Sequence, residues 1–114
     1  MTPIRVLVAN EPSYYREVIA AGLSHLRPRL EVVTIDPAEL DVAIIREAPQ
    51  IVICSRLTGV VQSHASSWLL LYPDGANVGH MNVAGVAITI ENVDFDDVLT
   101  LVDETERWVG SRIR

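Results

Sequence analysis

The residues whose types could do chemistry lie at the ends of short apolar runs. Asn10 and Glu11 follow Ile4–Ala9, Ser55 and Arg56 follow Ile51–Cys54, and Tyr72 and Asp74 close the run that starts at Trp68. An arginine among hydroxyls, an amide and carboxylates can read an anionic group with its guanidinium fork while the others orient it. The same six residues also read as strand-end caps and turn formers, Asp74 above all, because Pro73-Asp74-Gly75 is turn chemistry in itself. A hydrolytic reading takes Ser55 or Cys54 as nucleophile, His64 or His80 as base and Asp74 as the orienting acid. Against it, the chain has no Gly-x-Ser-x-Gly elbow, and Cys54 stands inside an apolar run that turns it toward a packed face. His25, His64 and His80 show no metal-ligand spacing, so no metal site is expected. Neither a Gly-x-Gly-x-x-Gly fingerprint nor a P-loop is present, and Ala9-Asn10-Glu11-Pro12 offers no glycine for close approach of a phosphate. No cofactor is expected.

Those residues need elements to hold them, and the pattern supplies a regular set. Ile4–Ala9 is a β-rich run ended by Asn10-Glu11-Pro12. From Ser13 a helical stripe runs through Tyr15, Val18, Ile19, Gly22, Leu23 and Leu26, and Pro28 stops it, which predicts a helix over 13–26. Leu30–Ile35 is a second strand. Asp36-Pro37-Ala38-Glu39 then puts a carboxylate at an N-cap, proline at the first helical position and an acid three residues after the cap. The helix it starts carries Leu40, Ala43, Ile44 and Ala48 on one face and ends before Pro49. Ile51–Cys54 is a third strand, and three strands alternating with two helices imply parallel pairing.

Beyond Arg56 the regularity loosens. Thr58–Ser67 makes a short helix or irregular crossover, and Trp68–Tyr72 is a fourth strand. In place of a further helix, Val78–Val83 and Val86–Ile90 flank Ala84-Gly85 at hairpin spacing. Val86, Ile88 and Ile90 alternate with Ala87, Thr89 and Glu91, which predicts one buried face. A last helix starts at Asp94 with Asp97 three residues on. It carries Phe95, Val98, Leu101, Val102, Trp108 and Val109, with acids at its start and arginines beyond Thr105. The expected fold is α/β: three layers, a parallel core finished by an antiparallel hairpin, and helices on both faces.

Composition bounds the rest. The 114 residues suit a single domain spanning 1–114, and the 49% apolar content is spread in short runs. No run approaches a membrane span, and Met1-Thr2-Pro3-Ile4-Arg5 leads straight into a strand without a signal peptide's regions, so a cytoplasmic protein away from membranes is expected. The single cysteine excludes an internal disulfide. A net charge of −6 argues against nucleic acid as a partner. All nine basic residues are arginine; there is no lysine.

The first half carries a family likeness. Val6-Leu7-Val8-Ala9-Asn10-Glu11-Pro12, then Tyr15-Arg16-Glu17, then Ala48-Pro49-Gln50-Ile51-Val52-Ile53-Cys54-Ser55 together resemble the receiver (CheY-like) domain of bacterial response regulators over residues 4–57. The nearest kind is the one found in front of LuxR-type DNA-binding domains. The resemblance implies a CheY/flavodoxin-like strand order, 2-1-3-4; the hairpin departs from the family, and its fourth helix is missing. It also implies a site where an aspartate accepts a phosphoryl group, acids hold Mg²⁺ and a lysine pairs with the phosphoryl oxygens. Here the acceptor position is Ser55, the acidic pair is Asn10-Glu11, the lysine's region reads Ile90-Glu91-Asn92, and no room remains after Arg114 for a DNA-binding effector. A hard cation site wants clustered carboxylates, and a glutamate near the lysine position repels phosphate. The expectation is a degenerate pseudo-receiver: non-catalytic, independent of phosphorylation, acting through contacts with another protein or as a homodimer. A small-ligand sensor built on the strand-end rim and a hydrolase built on Ser55 or Cys54 are the alternatives.

Overall fold

A computed structural model describes residues 3–112, the side chains of Asp74 and Arg112 excepted. The described residues form six strands and four α-helices in the order β1 (Arg5–Ala9), α1 (Ser13–Leu26), β2 (Glu31–Thr34), α2 (Leu40–Glu47), β3 (Ile51–Cys54), α3 (Gly59–His64), β4 (Ser67–Leu71), β5 (Val78–Val83), β6 (Val86–Glu91) and α4 (Phe95–Arg112). The strands make one mixed sheet, β2-β1-β3-β4-β5-β6. β1 pairs in parallel with β2 and β3, and β3 with β4, whereas β5 and β6 join antiparallel. The crossover between β4 and β5 is a 3-10 turn over Pro73–Gly75, too short to return the chain for a parallel strand, so the hairpin follows.

Each face of the sheet has its own core. Val8, Ile53, Leu69 and Met81 form one row across four strands and pack with Ile19 and Leu23 of α1 and Val98, Leu101 and Val102 of α4. On the other face Leu7, Val52 and Cys54 meet Leu40, Ala43 and Ile44 of α2 and Val61 of α3. Three layers result. The first row continues through Met81 to Ile88 of β6, and cover fails there: exposure is 3% at Met81 and 43% at Ile88.

Several boundaries move for identifiable reasons. Asp36 caps a 3-10 turn, Pro37–Glu39, by accepting from the Ala38 N–H at 2.9 Å, and the α-helix proper begins only at Leu40. Ala48, expected on the buried face of that helix, is an exposed C-cap in the left-handed region (φ 48°). Proline at 49 disfavours right-handed helix at the residue before it, so the helix ends at Glu47. The fourth strand starts at Ser67 and ends at Leu71, because Tyr72 takes φ 55°. The buried face expected on β6 forms only at its far end: Ile90 packs half-buried against the core, whereas Val86 is 62% exposed and Ile88 also remains open, α4 making its main sheet contacts with β4 and β5.

Ser67 gains from its shift into the strand. Its Oγ lies 2.7 Å from Oγ1 of Thr105 on α4, which in turn lies 2.8 Å from the Leu101 carbonyl, and the Ala84 N–H donates to Ser67 at 3.2 Å. Both residues are fully buried. A carbonyl only accepts, so one proton arrangement satisfies every atom: Ala84 N–H to Ser67, Ser67 O–H to Thr105, Thr105 O–H to Leu101. Thr105→Val strands the Ser67 proton and Ser67→Ala strands a Thr105 lone pair, each costing about 1–3 kcal/mol. The double variant removes both groups, while Ala84 N–H keeps its bond to Ser66 O at 3.2 Å. Urea titration of all four proteins is therefore expected to give a double cost at least about 1 kcal/mol below the sum of the singles. Strict additivity would show that the two hydroxyls do not act as a chain.

The helices of the first layer are also tied together. Arg27 at the end of α1 makes two bonds to Asp103 of α4 at 2.9 and 2.8 Å, and Arg29 two to Glu106 at 2.7 and 3.0 Å. The Arg27 guanidinium holds the Asp103 carboxyl below its ordinary range. A Cβ on Gly22 would sit 2.8 Å from the Phe95 ring, so glycine lets α1 and α4 approach at that point.

Candidate functional site

β1, β3 and β4 are parallel and in step, with Ala9 opposite Cys54 and Cys54 opposite Leu70. Residues that follow these strands therefore emerge at one rim, where such sheets bind ligands. Glu11, Ser55, Arg56 and Tyr72 meet there around a depression of about 270 Å³ whose floor includes Gly75. Beside it, and sharing Glu11 and Arg56, a second hollow of about 220 Å³ reaches Asp36, Leu40, Cys54 and Thr58. Both are smaller than the roughly 300–1,000 Å³ of ordinary ligand clefts.

The six expected residues divide into framework and surface. Asn10 is completely buried, and its Nδ2 donates to the Leu71 carbonyl at 3.0 Å, a strut from β1 across the end of β3 to β4. Its Oδ1 is the buried side-chain polar atom without a partner among the described residues. Turning the amide over would not help, because Leu71 O needs a donor. The Asn10 carbonyl accepts from Arg16 at 3.1 Å, and Ser55 Oγ accepts from the Glu11 N–H at 3.1 Å. Glu11 and Arg56 are exposed, and Ser55 and Tyr72 are half-buried. The Asp74 side chain lies outside the described residues. Tyr72 holds a left-handed backbone, strained by roughly 1–2 kcal/mol, and its ring sits 5.7 Å from that of Tyr15.

The hydrolytic constellation does not converge. Cys54 is 1% exposed under α2 and α3, and burial pushes its thiol up to about 12 although the Arg56 backbone N–H pulls the other way. His64 Nδ1 lies 3.3 Å from Val60 O within α3, and His80 Nδ1 lies 3.2 Å from Thr89 Oγ1 on the hairpin. Neither histidine lines the rim hollows. Among the described residues no three His, Cys, Asp or Glu side chains are grouped to hold a metal ion.

Asp36 and Thr58 line the second hollow and were not foreseen in it. Both follow strand regions, but both also cap helices: Thr58 accepts from the Val61 N–H at 3.2 Å and donates to Asp41 at 2.7 Å. Asp36 was accounted for as a cap and Thr58 only as the start of the crossover, although the strand-end rule would have placed Asp36 at the rim, directly after Ile35.

Two larger hollows are apolar, one adjoining the rim at Tyr72 and the other away from it. One of about 330 Å³ runs between α1 and the start of α4, with Tyr14, Tyr15, Val18 and Phe95 in its walls. The other, about 500 Å³, is a groove between α4 and the hairpin, walled by Met81, Val83, Val86, Ile88 and Trp108. Comparison of the chain with protein-family models, with curated proteins and with solved structures found no match. Among the described residues no helix is long and apolar enough to cross a membrane.

Proposed function

We propose that this chain is a non-catalytic, receiver-like module that works without phosphorylation and acts through contacts with protein. The strand order β2-β1-β3-β4 supports the likeness of the first half to a receiver. At the rim, Asn10, Glu11 and Ser55 stand where phosphoryl transfer needs clustered acids and an acceptor aspartate, and the chain has no lysine to pair with a phosphoryl group. The observation that carries the reading is where open apolar surface lies. The groove beside the hairpin, at about 500 Å³, is nearly twice the volume of the polar rim depression, and it is bordered by Val86 and Ile88, which remain exposed. Exposed apolar surface of this kind marks sites of association. Cys54 as a buried free thiol is compatible with a reducing compartment such as the cytoplasm.

A ligand sensor at the rim is the second reading, favoured by the exposed pair Glu11 and Arg56 shared between two adjoining hollows. Two experiments test the readings. Incubation with acetyl phosphate and Mg²⁺ is expected to leave the intact mass unchanged, and stoichiometric phosphorylation would sink the pseudo-receiver. Thermal shift with inorganic phosphate or sulfate should be flat. A concentration-dependent rise that Arg56→Ala abolishes would favour the sensor instead.

A further inference from the structure

We infer that β6 is a self-pairing edge, on which two copies of this chain join antiparallel about a two-fold axis at Thr89 to make one continuous sheet. The inference rests on the protein-contact reading and names its partner.

Backbone direction is the first ground. The hairpin turns through Ala84 and Gly85, both at positive φ (50° and 97°), with Val83 opposite Val86. In a two-residue hairpin that flanking pair is hydrogen-bonded, and bonded pairs alternate along the ladder. Ile88 opposite Met81 and Ile90 opposite Gly79 therefore bond inward; the bond from Asn92 N to Asn77 O at 2.9 Å continues the same series. Ala87, Thr89 and Glu91 point their N–H and C=O groups outward, and β6 ends the sheet among the described residues.

Edge protection is the second ground. Strands at an edge are ordinarily shortened, charged, bulged or interrupted by proline to prevent pairing. β2, at the opposite edge, has four residues, starts with Glu31 in an ion pair to Arg5 at 2.9 Å, and is followed by Pro37. In β6 the single charge is Glu91 at its end, and the stretch before it, Val86-Ala87-Ile88-Thr89-Ile90, has no charge, no proline and four β-branched residues. In a chain of net charge −6, this uncharged strip is where a second copy can approach without like charges meeting.

Register is the third. Antiparallel neighbours share a face, so outward-bonding residues must pair with outward-bonding residues. Centring on Thr89 pairs Thr89 with itself and Ala87 with Glu91 of the other copy, which engages all three outward residues. On the α4 side Ile88 then meets Ile90. Centring on Ile88 would leave Glu91 opposite Gly85 in the turn, and centring on Glu91 would set carboxylate against carboxylate.

Sedimentation velocity of the full chain over a concentration series is expected to show a reversible dimer of twice the 12.6 kDa chain mass. Thr89 is exposed, and its side chain meets surface His80, so its variants should stay folded with the parent's circular dichroism spectrum. Thr89→Lys or Thr89→Glu alone is expected to raise the dimer dissociation constant about tenfold, and an equimolar mixture of the two to restore pairing. Because Cys54 is buried, Thr89→Cys should cross-link copies on mild oxidation, whereas Gln62→Cys, exposed on α3, should not. A monomer at every concentration overturns the inference and leaves an extended strand of another protein as the edge's occupant. A dimer indifferent to both charge variants and to mixing overturns it too, by moving the interface elsewhere. Stoichiometric phosphorylation would instead overturn the pseudo-receiver reading while leaving the dimer in place.

Discussion

Alkylation of Cys54 by iodoacetamide at pH 8 is expected to be at least about a thousandfold slower in the native chain than in guanidinium-unfolded chain. The thiolate is the reacting species. Unfolded, with an ordinary pKa near 8.5, roughly a quarter of the thiol is ionised at that pH. Folded, burial pushes it up to about 12, because the charged form would have to exist among Leu7, Leu40, Val52 and Val61 with almost no access to water. The thiolate fraction then drops to about one in ten thousand, and 1% exposure slows attack further. Whatever labelling remains should report opening of the α2–α3 layer, so it should accelerate in sub-denaturing guanidinium. Native labelling at the unfolded rate would show an accessible, ionisable thiol and return Cys54 to consideration as a nucleophile.

Leu101→Ala should cost about 3 kcal/mol, within the roughly 2–5 kcal/mol of leucine truncations at fully packed sites. Leu101 is completely buried where α4 crosses the sheet, in the cluster that includes Ile53, Leu69 and Met81. Alanine is at least as good a helix former, so the loss reads packing and not helix propensity. The expected signature is a lower denaturation midpoint at unchanged slope and a melting temperature lower by roughly 10–15 °C. Val42→Ala on α2, 66% exposed, is the control and should stay within about 0.5 kcal/mol. A Leu101→Ala cost under about 1 kcal/mol would mean that α4 does not seal this face.

Much of the architecture was legible because its signals act over a few residues. α1 occupies Ser13–Leu26, as its stripe and Pro28 indicated, and β5 runs over Val78–Val83. The start of α4 is a reciprocal cap: the Asp97 N–H donates to Asp94 Oδ1 at 3.2 Å and the Asp94 N–H to Asp97 Oδ2 at 2.9 Å. The rim was legible only as a location. Residue types at strand ends could not tell that Asn10 would be drawn under the surface to bridge β1 and β4, or that Ser55 would accept from the Glu11 backbone.

By itself the sequence determined the elements, their alternation, the hairpin and the absence of lysine, since turns, caps, periodicity and residue content are all properties of short stretches or of composition. Tertiary structure alone decided which surface is open. Val86, Ile88 and Ile90 have the alternation of a half-buried strand, yet burial of a strand face depends on what lies over it: Ile90 packs against the core, while Val86 and Ile88 stay exposed because α4 makes its main sheet contacts with β4 and β5. The six polar residues at the strand ends are likewise a rim only because β1, β3 and β4 end in step, which is set by pairing between residues some 45 and 16 positions apart. Among the five of these whose side chains are described, Glu11 and Arg56 are the exposed ones, a distinction that follows from hydrogen bonds across the sheet and not from their neighbours in the chain.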